Sequence, residues 1–367
     1  MVWMVALCGT IGVVLAWALT WAMRWLAPRV GLIDQPNARK VHVTPTPLGG
    51  GVAVWLAVTL PLLSVLAMAS WLARTPEPPG FVPDWCLVHA PGVVARAGGL
   101  LALLAAGAVI AALGLLDDLR PLAWRPKLAV QFLVAGGLVA SGVRATVFQS
   151  APWVGDLITL FWIVGLTNAF NFLDNMDALS GGIGLISASL FAVIMLTAGG
   201  TPHWFVAGFL LLLAGALGGF LLHNWPPARI FMGDTGSCLV GLWIAALTVL
   251  GTFYETSSPG PHVIFAPLCV LAFPLYDFCS VMLIRLRQGR SPFHADKSHF
   301  SHRLVELGLS RRSAVLTIHL VTLMTGLAGL LLYQVPGLVG CGLVLAVVGC
   351  SLAVIAILET AGRAPRA

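Results

Sequence analysis

Charge is scarce in this sequence. Asp, Glu, Lys and Arg make up only 9% of its 367 residues, against 59% apolar. A soluble globular domain carries about a quarter charged residues. The chain therefore cannot cover itself with polar surface, and the bilayer must be its solvent. Cysteine patterning is also lacking. The seven cysteines (Cys8, Cys86, Cys238, Cys269, Cys279, Cys341 and Cys350) stand singly, mostly inside apolar runs. That pattern counts against a disulfide framework or a cysteine metal cluster. No alternation at strand spacing appears, so a β-barrel is a poor description. No cationic segment precedes the first apolar run, which is too long for a cleavable signal and is expected to stay as a membrane helix. Linkers, repeats and low-complexity tracts are missing, and residues 1–367 read as one polytopic membrane domain.

Long apolar runs are what the sequence has instead. A bilayer core roughly 30 Å thick needs about 20 apolar residues per helix. Eleven stretches qualify, near 2–27, 48–73, 93–116, 128–142, 152–167, 179–199, 204–223, 238–254, 263–284, 313–333 and 337–358. Those at 128–142 and 152–167 are short and predict a broken or tilted helix. The expected fold is an all-α integral membrane protein of about eleven transmembrane helices. Basic residues in short loops orient such a chain. With the N-terminus outside, the loops after odd-numbered spans and the C-terminal tail hold 17 of the 20 Lys and Arg residues. The remaining three are Arg74, Arg96 and Arg144. These loops are therefore predicted to face the cytoplasm. The net charge of +6 then needs no nucleic-acid partner, because orientation and anionic headgroups account for it.

The polar residues gather in five clusters, all on the predicted cytoplasmic face. The first runs from Asp34 through Asn37, Arg39, Lys40 and His42 to the glycines ending at Gly51, an irregular loop suited to approaching phosphates through its amides. The second is Asp117-Asp118 with Lys127 beyond it. Adjacent carboxylates are costly without a cation, so they either help hold a metal or include a base. The third sets Asn168, Asn171 and Asp174 at three-residue steps along one helical ridge, followed by Asn175 and Asp177. Such groups at a membrane boundary point to a ligand, and their oxygens suit Mg²⁺, with Mn²⁺ as the alternative ion. The fourth runs from Asn224 and Arg229 through Phe231 to Gly233-Asp234-Thr-Gly-Ser237, placing Asp234 near a helix N-terminus that can face an anion. The fifth carries His294, Asp296, Lys297, His299, His302 and Arg303. It lacks the ligand spacing of a zinc site and fits phosphate contact better.

Acidic groups imply a metal and basic groups imply an anion, and phosphoryl transfer uses both. The depth of the clusters at the interface suggests that one reactant is a lipid carrying its phosphate at headgroup level. Asp277, inside the ninth span, is an intramembrane acid that is either functional or satisfied by a neighbouring helix. His203 and His319 read as structural.

Asp117-Asp118, the Asn171-x-x-Asp174-x-x-Asp177 run, Phe231-x-Gly-Asp234 and His299-x-x-His302-Arg303 together resemble the signatures of the polyprenyl-phosphate N-acetylhexosamine-1-phosphate transferases. The resemblance covers almost the whole chain. It is closer to the undecaprenyl-phosphate N-acetylglucosaminyl branch than to the branch using a UDP-muramoyl-pentapeptide, which usually shows three successive histidines where this chain has His299-Phe-Ser-His302. The resemblance implies transfer of a sugar 1-phosphate from a UDP-sugar to polyprenyl phosphate in the bacterial inner membrane, releasing UMP. It implies Asn171 and Asp234 as Mg²⁺ ligands, Asp117 and Asp118 as catalytic groups at the lipid phosphate, and Lys127 as a phosphate contact. It further implies Phe231 stacking on uracil with Asn224, Asp174 and Asp177 nearby. Lys40 and His42 would contact substrate, and His299, His302 and Arg303 would face the diphosphate or sugar. A homodimer is compatible with it. Three positions depart from the family pattern: Pro121 in place of a third Asp, Ala178 in place of Gly and Leu48 in place of Arg. The competing expectations are a secondary transporter of an anionic solute, disfavoured by the absence of repeats, the UDP-muramoyl-pentapeptide reaction, and a lipid phosphatase or non-catalytic lipid-binding relative.

Overall fold

The computed structural model describes residues 2–36, 44–80, 82–145, 151–198, 202–251, 260–292, 298–335 and 337–361. Arg39, Lys40, His42, His294, Asp296 and Lys297 lie outside the described residues.

The chain is built from helices: α1 (Val2–Leu26), α2 (Gly50–Leu72), α3 (Asp84–Ala95), α4 (Ala97–Leu119), α5 (Trp124–Ala140), α6 (Pro152–Leu173) and α7 (Leu179–Thr197). They continue as α8 (Trp204–Asn224), α9 (Gly233–Leu250), α10 (Ala266–Val270), α11 (Ala272–Arg287), α12 (Phe300–Glu306), α13 (Arg311–Leu331) and α14 (Gly337–Ala361). The only strands among the described residues, β1 (Ile33–Asp34) and β2 (Thr46–Pro47), form one short antiparallel pair.

Among the described residues nine helices are long and apolar enough to cross a membrane, and the bent pair ending in α11, taken as one span, makes a tenth. The remaining expected span, near 128–142, is α5, which has 17 residues, about 25 Å at 1.5 Å per residue. The stretch expected to be short at 152–167 instead runs to Leu173 over 22 residues, because its polar last turns continue the helix. The break lies elsewhere, where the segment from Pro261 to Val270 meets α11 at 65°. Pro274 has no N–H to offer the Val270 carbonyl, so the helical ladder fails there. The Pro-rich outer loop, expected to be turns or a short cap, carries α3, which packs Ala90 against Ala69 and Leu72 of α2.

α9 sits at the centre, with 78% of its apolar window buried, and packs on α2, α4 and α6. Its Trp243 is fully buried, and the indole N–H donates to the Leu103 carbonyl at 3.2 Å, satisfying the polar end of a large core side chain. Helix directions alternate. The C-terminal ends of α4, α6 and α8 therefore meet the N-terminal ends of α5, α7 and α9 at one end of the bundle. Exposed Trp25, Trp124 and Trp225 lie at that end, and Trp71, Trp85, Trp153 and Trp204 at the other, as two interfacial belts would place them.

Candidate active site

α4 stops where Pro121 forces Arg120 into an extended conformation, φ −146° and ψ 108°. Its last turn is left carrying Asp117 and Asp118. Asp117 Oδ1 accepts the Leu122 N–H at 2.6 Å, and its Oδ2 accepts from Lys127 Nζ at 2.7 Å. The same ammonium donates to Asp234 Oδ2 at 2.8 Å. Asn171 Nδ2 donates to Asp234 Oδ1 at 2.9 Å and to Ser237 Oγ at 3.1 Å. Groups from α4, α5, α6 and α9 thus form one cluster, and three of the five polar stretches singled out in the sequence converge. Asn168 belongs to a different contact: its amide donates to Gln131 at 2.6 Å and ties α6 to α5 one turn deeper.

The N-terminus of α9 was expected to offer its amides to an anion. That anion is Asp118. Its Oδ1 accepts the Asp234 N–H at 2.9 Å, and its Oδ2 accepts the Thr235 N–H at 3.1 Å and hydroxyl at 2.7 Å. A carboxylate there satisfies donors a helix leaves unpaired and complements the macrodipole. Gly233 opens α9 at φ +71°, and a Cβ there would meet the Asp118 carboxylate. The glycine run ending at Gly51 likewise does not present its amides to a ligand. Gly50 and Gly51 donate to the Phe231 and Met232 carbonyls at 3.0 and 2.9 Å. Gly51 and Gly236 press backbone to backbone, so the start of α2 is a brace for the start of α9.

Asp174 follows the last residue of α6. Loss of hydration, reinforced by the charges of Asp234, Asp118 and Asp177, holds its carboxyl well above the usual carboxylate range. Asp177 Oδ2 accepts the Ala228 N–H at 2.9 Å. Asn224 is 6% exposed and spends its whole amide on the fold. Its Oδ1 accepts the Ala178 N–H and its Nδ2 donates to the Ile230 carbonyl, both at 2.8 Å. Phe231 is half-buried, packed beside Ala27, Leu32 and Leu48, with its N–H bound to Pro47 at 2.9 Å. Asp177 and Asn224 thus clamp the turns on which Phe231 and Asp234 ride.

α12 closes the site's flank. His299 Nδ1 lies 2.9 Å from Asp277 Oδ2, and its ring meets Phe172 edge-on with centroids 5.8 Å apart. His302 is 6.5 Å from His299, ring to ring. Arg303 donates to Ser280 at 3.2 Å, and Ser301 donates to Asn175 at 2.6 Å. Arg285, counted in the sequence only toward orientation, is 2% exposed. Its guanidinium lies 5.0 Å from the Phe172 ring and donates to the Pro292 carbonyl at 2.6 Å. Its position at the start of a predicted inner loop, among other arginines, gave no sign of this burial. Among the described residues no group of three or more His, Cys, Asp or Glu could by itself hold a metal ion.

The family model for glycosyl transferase family 4 matches residues 100–252, the stretch holding every cluster member from Asp117 to Asp234. The chain is 36% identical over 339 residues to a decaprenyl-phosphate N-acetylglucosaminephosphotransferase of Mycobacterium tuberculosis, covering 86% of this chain and 79% of that protein. It is also 36% identical over 338 residues to the like-named protein of Mycolicibacterium smegmatis, at 86% and 79% coverage. To the undecaprenyl-phosphate alpha-N-acetylglucosaminyl 1-phosphate transferase of Escherichia coli K12 it is 30% identical over 324 residues, at 84% and 78% coverage.

Proposed function

Because this chain belongs to glycosyl transferase family 4, we propose that it transfers N-acetylglucosamine 1-phosphate from UDP-N-acetylglucosamine to polyprenyl phosphate, releasing UMP and leaving a lipid diphosphate. The relatives' names supply the sugar phosphate and the prenyl acceptor. The observation that carries the reading is the placement of Lys127 Nζ, within 2.8 Å of both Asp117 and Asp234. This one ammonium joins the α4–α5 side of the site to the α6–α9 side. In-line phosphoryl transfer needs little covalent help from protein, but it needs two phosphates held together with their charge neutralised.

In this reading Lys127 binds phosphate oxygen, and Asp117 keeps the ammonium in place. A lipid phosphate is already ionised near neutral pH, so Asp117 acts by orientation and need not remove a proton. Asp118 does its work through α9, fixing the backbone of Asp234. Asn171 restrains the Asp234 carboxylate from the other side. The turns clamped by Asp177 and Asn224 carry Phe231 to the uracil, and His299, His302 and Arg303 face the diphosphate or sugar.

The residues fit a divalent ion. Asp234, Asn171 and Asp117 offer hard oxygen donors. Mg²⁺ usually takes one or two carboxylates together with substrate phosphates, so a site without its own three-ligand cage suits an ion shared with the donor. Bound there, Mg²⁺ (or Mn²⁺) would neutralise the diphosphate oxygens. We place the site on the cytoplasmic face of the bacterial inner membrane, from the 17 of 20 basic residues in the loops on that side.

Purified protein incubated with UDP-N-acetylglucosamine, polyprenyl phosphate and Mg²⁺ is expected to release UMP, and EDTA is expected to stop it. Mass analysis should show the lipid diphosphate sugar. Full activity in Asp234→Ala would overturn the site assignment. Uptake of donor into proteoliposomes without any covalent product would favour a transporter instead.

A further inference from the structure

Asp277 is an acid inside α11 with a side chain 1% exposed, and nothing in the transfer scheme uses it. An intramembrane carboxylate must be hydrogen-bonded to be tolerated. Asp277 is: Oδ2 meets His299 Nδ1 at 2.9 Å, and Oδ1 accepts the Phe300 N–H at 2.8 Å. A carboxylate only accepts, so Nδ1 carries the proton and the ring is held in one tautomer and one orientation. The other ring nitrogen, Nε2, makes no hydrogen bond among the described residues. His299 stands beside the last turn of α6 through the edge-on contact of Phe172, the neighbour of Asn171.

We propose that Asp277 is a positioning residue for the transfer, holding His299 by Nδ1 so that the acceptor Nε2 faces a hydroxyl or amide N–H of the donor sugar. The proposal rests on the transferase reading above. A staple between α11 and α12 would need only the Asp277 carboxylate and the Phe300 amide. Here the same carboxylate also spends an oxygen on a histidine whose second nitrogen takes no hydrogen bond among the described residues. That histidine sits one helical turn from His302 and Arg303, with ring centroids 6.5 Å apart for the two histidines. Arg303 in turn is tied to Ser280 of α11 at 3.2 Å. Asp277 and Ser280 lie on one face of α11, so this helix supplies the fixed frame for both basic groups.

The test is a double-mutant cycle on the full chain in detergent, reading UMP release with UDP-N-acetylglucosamine and polyprenyl phosphate. Asp277→Asn and His299→Ala should each lower kcat about 10- to 100-fold, the range for a partner that orients a working ligand, with donor KM nearly unchanged. The double variant should be no worse than the poorer single one. Losses that multiply, or a loss confined to KM, would overturn the proposal. His299→Asn guards against unfolding: its amide still donates to Asp277 but it has no Nε2. It should melt like the wild type and be as inactive as His299→Ala, and full activity there would equally overturn the proposal. A wild-type chain that releases no UMP would refute the transferase reading itself, which the cycle does not address.

Discussion

Lys127 and Asp234 are 107 residues apart in the chain and 2.8 Å apart in the fold. The ammonium bridges that carboxylate to Asp117, and all three side chains are only partly shielded, at 13 to 29% exposure.

Removing Lys127 leaves two carboxylates facing each other without their cation. Lys127→Ala should lower kcat at least 100-fold and destabilise the protein by roughly 1–3 kcal/mol, between the limits for exposed and buried pairs. UMP release and thermal unfolding in detergent measure the two effects. Lys127→Arg should recover stability more than activity, because a planar fork cannot take the place of a point charge between two oxygens.

Asn224→Ala should unfold more easily by about 2–4 kcal/mol, since it strands the buried Ala178 N–H and Ile230 carbonyl together. The donor KM should rise as the turn carrying Phe231 loosens. Asn224→Asp tests the mechanism, because it keeps the acceptor for Ala178 while setting a carboxylate against the Ile230 oxygen. It should be at least as damaging as the alanine. A melting curve like the wild type's for either variant contradicts the clamp.

Ala178 adopts φ +63°, a left-handed conformation that costs an L-residue about 1–2 kcal/mol. It is held there by the Asn224 contact and by His319 Nε2, 3.2 Å from its carbonyl. Ala178→Gly relieves the clash but frees the unfolded chain, and a net gain of about 0.5–1 kcal/mol is expected. A lowered melting temperature would contradict it.

The raised carboxyl of Asp174 has a definite sign in stability. A carboxyl raised in the fold favours the folded state when protonated, so its contribution is fully present below the ordinary carboxylate value of about 3.9. It is lost as pH rises through the raised value. Asp174→Asn keeps the size and polarity of the side chain and cannot ionise. Melting temperatures measured from acid to alkaline pH should therefore fall less steeply for this variant than for the wild type. Parallel curves would show that Asp174 does not titrate in this way.

Much of this was legible before any coordinates. Apolar run length determines whether a segment can cross a bilayer, and it is a property of contiguous residues, so most span ends agree with the helices, while the polar ends of α6 and α9 extend five or six residues beyond the apolar runs. The departure of Ala178 from a glycine was visible too, and the positive φ there shows why a glycine suits the position.

The pattern of residues alone also identified Asp117, Lys127, Asn171 and Asp234 as chemically unusual, because charges and amides at a membrane boundary demand partners. Which partner each one takes was decided only by the packing of helices distant in sequence. Asp118 spends itself on the amides of α9, Asn224 on two turns, Gly51 on Gly236 and Asp277 on His299, while Arg285 is buried beside Phe172. Hydrogen bonds and close backbone approaches depend on positions a few tenths of an ångström apart, set by the whole bundle, and no local stretch of sequence encodes them.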